Sequence, residues 1–180
     1  MIARNEISRE REPSQNQSQR MHKQLVGAFL LILVLVPVAC GHDPSKPLDL
    51  KYTAVDGKTV DLSKMRGKVV LIDFWATWCP PCRGEVPNVV AAYQKYHDKG
   101  FEIVGISLDQ DKDALVAFTK ENGMVWPQYF DGKGWDNDIS KGFGIQSIPT
   151  MWLVGKDGKL ITTNAREDLA GQVGKALGAP

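Results

Sequence analysis

The sequence predicts an α/β fold with three layers around a central mixed sheet and a β-hairpin added at the N-terminal side. Three observations carry this. Two apolar runs of strand composition, Val69–Phe74 and Phe101–Ser107, are each followed by a stretch with helical periodicity. A turn signal at Lys156-Asp157-Gly158-Lys159 folds Met151–Val154 back towards Leu160–Thr163, and a helical pattern follows. Asp56-Gly57 stands between Lys51–Val55 and Lys58–Leu62 as a second hairpin signal. Strands separated by helices pair in parallel and hairpin strands pair antiparallel, so the sheet is mixed.

Taken in order, the hairpin at 51–62 is followed by a loop, Ser63–Gly67, into the central strand Val69–Phe74. A helix from about Pro81 to Tyr96 carries Val86, Val89, Val90 and Tyr93 as an apolar stripe, with Pro87 inside the pattern as a predicted kink. Asp111 is placed to cap a helix running to about Asn122, with Leu115, Val116 and Phe118 on its apolar side and Gly123 as the stop. Trp126–Phe130 reads as a short extended segment, Asp131–Trp135 as a turn-rich loop and Ile139–Phe143 as a short helix. The last helix spans about Arg166–Leu177, with Asn164 as its expected cap.

The chemistry centres on Cys79-Pro80-Pro81-Cys82, at the seam between the central strand and the first helix. Two thiols spaced by two residues can close one small disulfide ring. A helix N-terminus favours the thiolate of the first, because free backbone N–H groups and the helix dipole stabilise negative charge. Cys79 is therefore the expected nucleophile, more exposed than Cys82, the expected resolving thiol. A lone C-x-x-C is also half of a zinc site. The remaining ligand candidates, Cys40, His22, His42 and His97, include no second pair, which argues against closed four-ligand coordination. Pro80 and Pro81 remove two N–H groups and stiffen the ring. Two acids stand close in sequence. Glu85 lies three residues after Cys82, on the same side of the helix, and is expected to have a raised pKa; Asp73 interrupts an apolar strand and needs a partner, a proton or a purpose.

The run Ile72-Asp73-Phe74-Trp75-Ala76-Thr77-Trp78-Cys79-Pro80-Pro81-Cys82 resembles the active-site segment of the thioredoxin superfamily. Its continuation Arg83-Gly84-Glu85-Val86-Pro87 is similar to the exported TlpA/ResA/CcmG branch. The resemblance covers roughly residues 47–180. It implies a thioredoxin-like fold, thiol–disulfide exchange and no cofactor. It implies a catalytic set of Cys79, Cys82, Glu85 and Asp73, although members of that branch often carry Asn at the Asp73 position. It also implies a cis bond at Ile148-Pro149, facing the dithiol and pairing with extended substrate, so that Trp78, Pro80, Pro81, Ile148 and Pro149 form the expected substrate-binding set. Protein disulfides, apocytochrome c among them, are the implied substrates, and a DsbD- or CcdA-type membrane protein the implied electron donor. Two rivals remain. A peroxiredoxin-like peroxidase wants threonine three residues before the attacking cysteine, where Ala76 stands. A Sco-like metal-delivery module wants wider cysteine spacing and a partner histidine.

Composition bounds the rest. The 180 residues are 43% hydrophobic and 24% charged, an ordinary globular balance. Of 22 Lys/Arg and 21 Asp/Glu, five and three fall in residues 1–40, leaving 17 and 18 in the remainder with no basic cluster for nucleic acid. Residues 1–20 are polar and read as a disordered lead, and Met21 is an alternative start. Leu25–Ala39 is a fifteen-residue apolar run, about 22 Å as a helix against a hydrocarbon core of about 30 Å, which is signal-peptide length. Val38-Ala39-Cys40-Gly41 resembles a lipoprotein signal with Cys40 as the lipidation site, although Pro37 departs from that pattern. Cleavage after Gly41 and an uncleaved membrane anchor are the alternatives. Each places the domain outside the cytoplasm, where disulfides persist. Residues 41–50 read as a linker and 51–180 as the folded domain.

Overall fold

The computed structural model describes residue 43 and residues 45–178; the signal, anchor and Cys40 readings lie outside them. The N-terminal hairpin pairs β1 (Lys51–Thr53) with β2 (Thr59–Asp61), as a two-stranded antiparallel sheet of its own. The main sheet holds β3 (Val69–Trp75), β4 (Phe101–Ser107), β5 (Gln128–Tyr129), β6 (Thr150–Val154) and β7 (Leu160–Thr162) in the order β5-β4-β3-β6-β7. β3 pairs parallel to β4 and antiparallel to β6; β4 and β5 are parallel, β6 and β7 antiparallel. This is the expected mixed α/β sheet. The Asp131–Trp135 loop follows β5, which is shorter than its sequence pattern because only Gln128 and Tyr129 find partners, opposite Gly105 and Ile106.

Every residue of β3 is buried, as an apolar strand between two partners must be. Its two faces meet different layers. Asp73 and Trp75 face α1 (Pro80–Tyr96), whereas Phe74 packs on Trp152 (centroids 5.8 Å) and on Phe143 (6.1 Å), just beyond α3 (Asp138–Gly142). Helix α2 (Lys112–Glu121) brings Phe118 to 5.6 Å from the Trp75 ring. Asp111 caps it as expected, accepting from the backbone of Asp113 (2.9 Å) and Ala114 (3.0 Å), but only Leu115 of its apolar set is fully buried.

Three details differ from the sequence pattern. Asn164 makes no side-chain cap; it precedes a 3₁₀ turn at Ala165–Asp168, and Asp168 caps α4 (Leu169–Leu177) through Gly171 N at 3.1 Å. An acid three residues before Gly171, the third residue of the helix, outcompetes the asparagine simply by standing at the right place. The described part of the 41–50 stretch carries Leu48 and Leu50, both in the core, and Pro47 bridges to Lys159. α1 starts one residue early, at Pro80, and continues through Pro87. No helix among the described residues is long and apolar enough to cross a membrane.

Candidate active site

Cys79 and Cys82 are joined as a disulfide, with Cα atoms 5.2 Å apart. Cys79 occupies the N-cap of α1 in extended conformation, and its Sγ accepts the Cys82 N–H at 3.2 Å. Pro80 and Pro81 fill the next two positions, where no N–H is needed inside the helix and φ is already helical. The two cysteines are equally buried, each 3% exposed, so the expected contrast in exposure is absent in this oxidised form. Their surroundings differ instead. Cys79 Sγ lies 3.9 Å from the carbonyl oxygen of Ile148, on the loop whose Ile148–Pro149 bond is cis. Cys82 points inward, into a crevice with no room for water that is shared with Asp73, Trp75, Val86, Pro149 and Met151.

Asp73 is 3% exposed, and its Oδ1 has no hydrogen-bond partner among the described residues. Burial pushes its pKa up to about 7, and the negative charge of Glu85 adds to the rise. Glu85 behaves in the opposite way. Asn88 Nδ2 donates to its Oε2 at 3.0 Å and Arg166 Nε to its Oε1 at 2.9 Å. The Asn88 bond and then the Arg166 guanidinium hold its carboxyl below the ordinary range. The raised pKa expected for Glu85 is thus found on Asp73. Two partners make the difference at Glu85: Asn88, three residues along the helix, and Arg166, which arrives from 81 residues away and which no local pattern could place.

The loop leading into the dithiol is strapped down by a residue that sequence reasoning missed. Asp109, just after β4, is 2% exposed and accepts from Thr77 N (3.1 Å) and Thr77 Oγ1 (2.6 Å). Ser107 Oγ donates to its other oxygen at 2.7 Å and accepts from its N–H at 3.0 Å. In sequence, Leu108-Asp109-Gln110-Asp111 reads only as a polar loop. Trp78 is half exposed and anchored by its Nε1, which donates to the Leu108 carbonyl at 3.2 Å. Trp75 and Phe74 are core. The structure therefore gathers Cys79, Cys82, Trp78, Pro80, Pro81, Ile148 and Pro149 around one disulfide, with Asp73 beneath it and Glu85 at its margin. Among the described residues no group of three or more His, Cys, Asp or Glu is arranged to hold a metal ion.

A cystine at a helix N-cap, one sulfur towards a cis-proline loop and the other towards a buried acid, defines a dithiol redox domain of thioredoxin type. The Redoxin family profile matches residues 41–177, and the chain belongs to that family, within the thioredoxin superfamily, as a ResA-like thiol-disulfide oxidoreductase domain. A "Thiol-disulfide oxidoreductase ResA" of Bacillus thuringiensis subsp. konkukian is 38% identical over 109 residues, 61% of this chain and 61% of the relative. The protein of the same name from Bacillus anthracis is 35% identical over 127 residues, 68% of this chain and 72% of the relative. The matched stretch thus spans under two thirds of the first relative's length. Among solved structures, the thioredoxin domain of a thiol-disulfide oxidoreductase from Bacteroides vulgatus superposes with a TM-score of 0.64 at 31% identity, covering 71% of this chain and 92% of that one. A thiol:disulfide interchange protein of the thioredoxin family from Chlorobium tepidum TLS gives 0.62 at 26% identity, covering 73% and 94%.

Proposed function

We propose that this chain reduces protein disulfides by thiol–disulfide exchange outside the cytoplasm. The observation that carries it is the asymmetry of the cystine, Cys79 capping the helix beside the Ile148 carbonyl and Cys82 facing Asp73. In the reduced protein the Cys79 thiolate attacks one sulfur of the substrate disulfide, and the other leaves as a thiolate. Cys82 then passes its proton to the Asp73 carboxylate and attacks Cys79 Sγ. The internal disulfide forms and the second substrate thiolate is released. In the recharging half, a donor thiolate attacks Cys79 Sγ, Cys82 leaves as a thiolate and Asp73 returns the proton. A second donor thiolate then frees Cys79. Glu85, coupled to Asp73 by charge, is the second acid of the set. Trp78, Pro80, Pro81, Ile148 and Pro149 form the surface against which an extended substrate segment pairs.

The partners follow the same reading. Apocytochrome c is a fitting substrate, since its cysteines must be reduced to take up haem, and a DsbD- or CcdA-type membrane protein is a fitting donor. Anchoring falls to a lipidated Cys40 or an uncleaved N-terminal helix. A Cys82→Ser variant tests the exchange: with no resolving thiol it should accumulate mixed disulfides through Cys79, dissolved by dithiothreitol. Alkylation of the reduced protein at neutral pH should label Cys79 first. Preferential labelling of Cys82, or no mixed disulfide in the trap, overturns the assignment.

A further inference from the structure

Two of the large apolar side chains exposed on the described surface belong together. Trp78 is 50% exposed and Trp135 48%, and their ring centroids lie 6.2 Å apart at an interplanar angle of 55°. The other exposed large hydrophobics, Val116, Val125 and Ile161, are aliphatic side chains of the ordinary scattered kind. Trp78 immediately precedes Cys79, so the indole pair borders the reactive sulfur.

The loop that presents Trp135 is built to hold it still. Asn137, fully buried, donates from Nδ2 to the Ser107 carbonyl (3.0 Å) and to Asp131 Oδ1 (3.3 Å), while its Oδ1 caps Ser140 N (2.9 Å). Asp131 also accepts from the N–H groups of Lys133 (3.0 Å) and Asp138 (2.9 Å). Gly134, the residue before Trp135, sits at φ +60° against the Gln110 side chain, where a Cβ would be both strained and crowded. Ser107 and the turn are thus tied together at the end of β4, the same point that anchors Thr77 through Asp109. Both indoles are fixed to one scaffold. A burial that costs this many hydrogen-bonded groups yields no core packing for Trp135, whose ring stays half in water.

Charge narrows what the platform can take. Four of the loop's five charges are paired within it, Lys133 with Asp138 at 2.6 Å and Lys141 with Asp136 at 3.1 Å. The fifth, Asp131, is engaged by the N–H groups of Lys133, Asn137 and Asp138. Both lysines are thus already committed inside the loop, and the platform offers an acidic partner no free cation. We propose that Trp135 is a specificity-determining residue: with Trp78 it forms a two-indole platform for an aromatic or large aliphatic side chain flanking the cysteine of an extended polypeptide disulfide. The assignment rests on Cys79 being the sulfur that meets substrate. A segment that pairs with the Ile148 backbone and delivers its sulfur to Cys79 carries its neighbouring side chains over this border. Tryptophans that are rigid, adjacent and half exposed supply contact area at little cost in side-chain ordering.

The test uses the full chain, reduced and freed of dithiothreitol, in single-turnover reduction of three disulfides. These are a peptide with an internal disulfide and Phe beside one cysteine, the same peptide with Ser there, and hydroxyethyl disulfide. The wild type should half-saturate at about tenfold lower concentration with the Phe peptide than with the Ser peptide, about 1.4 kcal/mol. Trp135→Ala should erase that preference and leave the limiting rate and the hydroxyethyl disulfide rate unchanged, while Trp135→Phe restores most of it. Equal half-saturation for the two peptides in the wild type overturns the proposal. So does a Trp135→Ala loss that is equal for hydroxyethyl disulfide, which marks a disturbed dithiol. A dimer in sedimentation that Trp135→Ala dissolves would assign the platform to a second copy of the chain instead. Failure of the wild type to reduce any of the three sinks the exchange reaction itself, an outcome distinguishable from all of these.

Discussion

Glu85 and Asp73 are both carboxyls near one disulfide, and their surroundings set them apart. Glu85 has a guanidinium and an amide as partners and keeps its charge; Asp73 has apolar walls and an anion as neighbour, and holds its proton up to about pH 7. The sign of each substitution follows. Glu85→Gln removes the anion that raises Asp73, so the Asp73 limb of the pH–rate profile should move to lower pH, with a rate change of about tenfold or less. That is below the 10²–10⁴ typical of losing a proton-transfer group. Arg166→Met should let the Glu85 pKa rise, and should have no effect on that limb once Glu85 is already Gln. Profiles of model-disulfide reduction between about pH 5 and 9 check both. Overlay of Glu85→Gln on the wild type would reduce Glu85 to a surface charge. Asp109→Ala acts differently, by leaving the Thr77 N–H and hydroxyl without their buried acceptor. It should cost about 3 kcal/mol of stability, read from denaturant midpoints. At this scale the cysteines and Asp73 were legible because each breaks a local pattern. Glu85 was picked out by its spacing from Cys82 but with the wrong direction of pKa shift, and the proline loop came only through the family resemblance. Arg166, Asp109 and Trp135 were not legible, since each acquires its role only through a partner distant in sequence.

At the scale of elements, the sheet order explains one substitution that a strand pattern would call harmless. Gly105 lies in the middle of β4, between Asp73 on β3 and Gln128 on β5. The Gln128 side chain crosses directly over it to accept the Trp75 Nε1–H at 3.0 Å, and a Cβ at 105 would overlap that amide. Gly105→Ala should therefore cost about 1–3 kcal/mol, combining crowding with a lost buried hydrogen bond. In a Gln128→Ala background the same change should cost much less, because the obstructing amide is gone. Equal costs in the two backgrounds, measured by guanidinium unfolding, would remove Gln128 from the explanation. The apolar runs of β3 and β4 announced themselves by composition, as doubly buried strands do. β5 was legible only as the wider extended segment Trp126–Phe130, because two paired residues leave no periodicity to mark their bounds, and the cap of α4 was misplaced because the intervening 3₁₀ turn shifts the helix start by a few residues.

For the molecule as a whole, a buried acid that stays protonated is a term in the stability of the entire fold. Asp73 stands in the central strand, hydrogen-bonded on both sides through its backbone, so it cannot reach water without the sheet opening. Its pKa is about 7 in the folded protein against an ordinary value of 3.8. Between those values the native state binds a proton that the unfolded chain has released. The contribution of Asp73 is therefore complete below about pH 4 and is lost as the pH rises through about 7, after which it stays constant. A shift of about three units corresponds to about 4 kcal/mol. Glu85 works the other way: its lowered pKa gives stability that is present at neutral pH and lost on acidification, so the wild-type curve alone mixes two opposing terms. Asp73→Asn isolates the first, because the amide keeps the shape and cannot ionise. At pH 8 the oxidised Asn variant should be more stable than the wild type by up to about 4 kcal/mol, and the gap should close steadily towards pH 4.5. Guanidinium midpoints of both proteins across that range make the measurement, with the disulfide kept intact so that no thiol titrates. A constant gap would mean that Asp73 reaches water or a partner in the folded state, and the proton it is assigned during exchange would have to come from elsewhere.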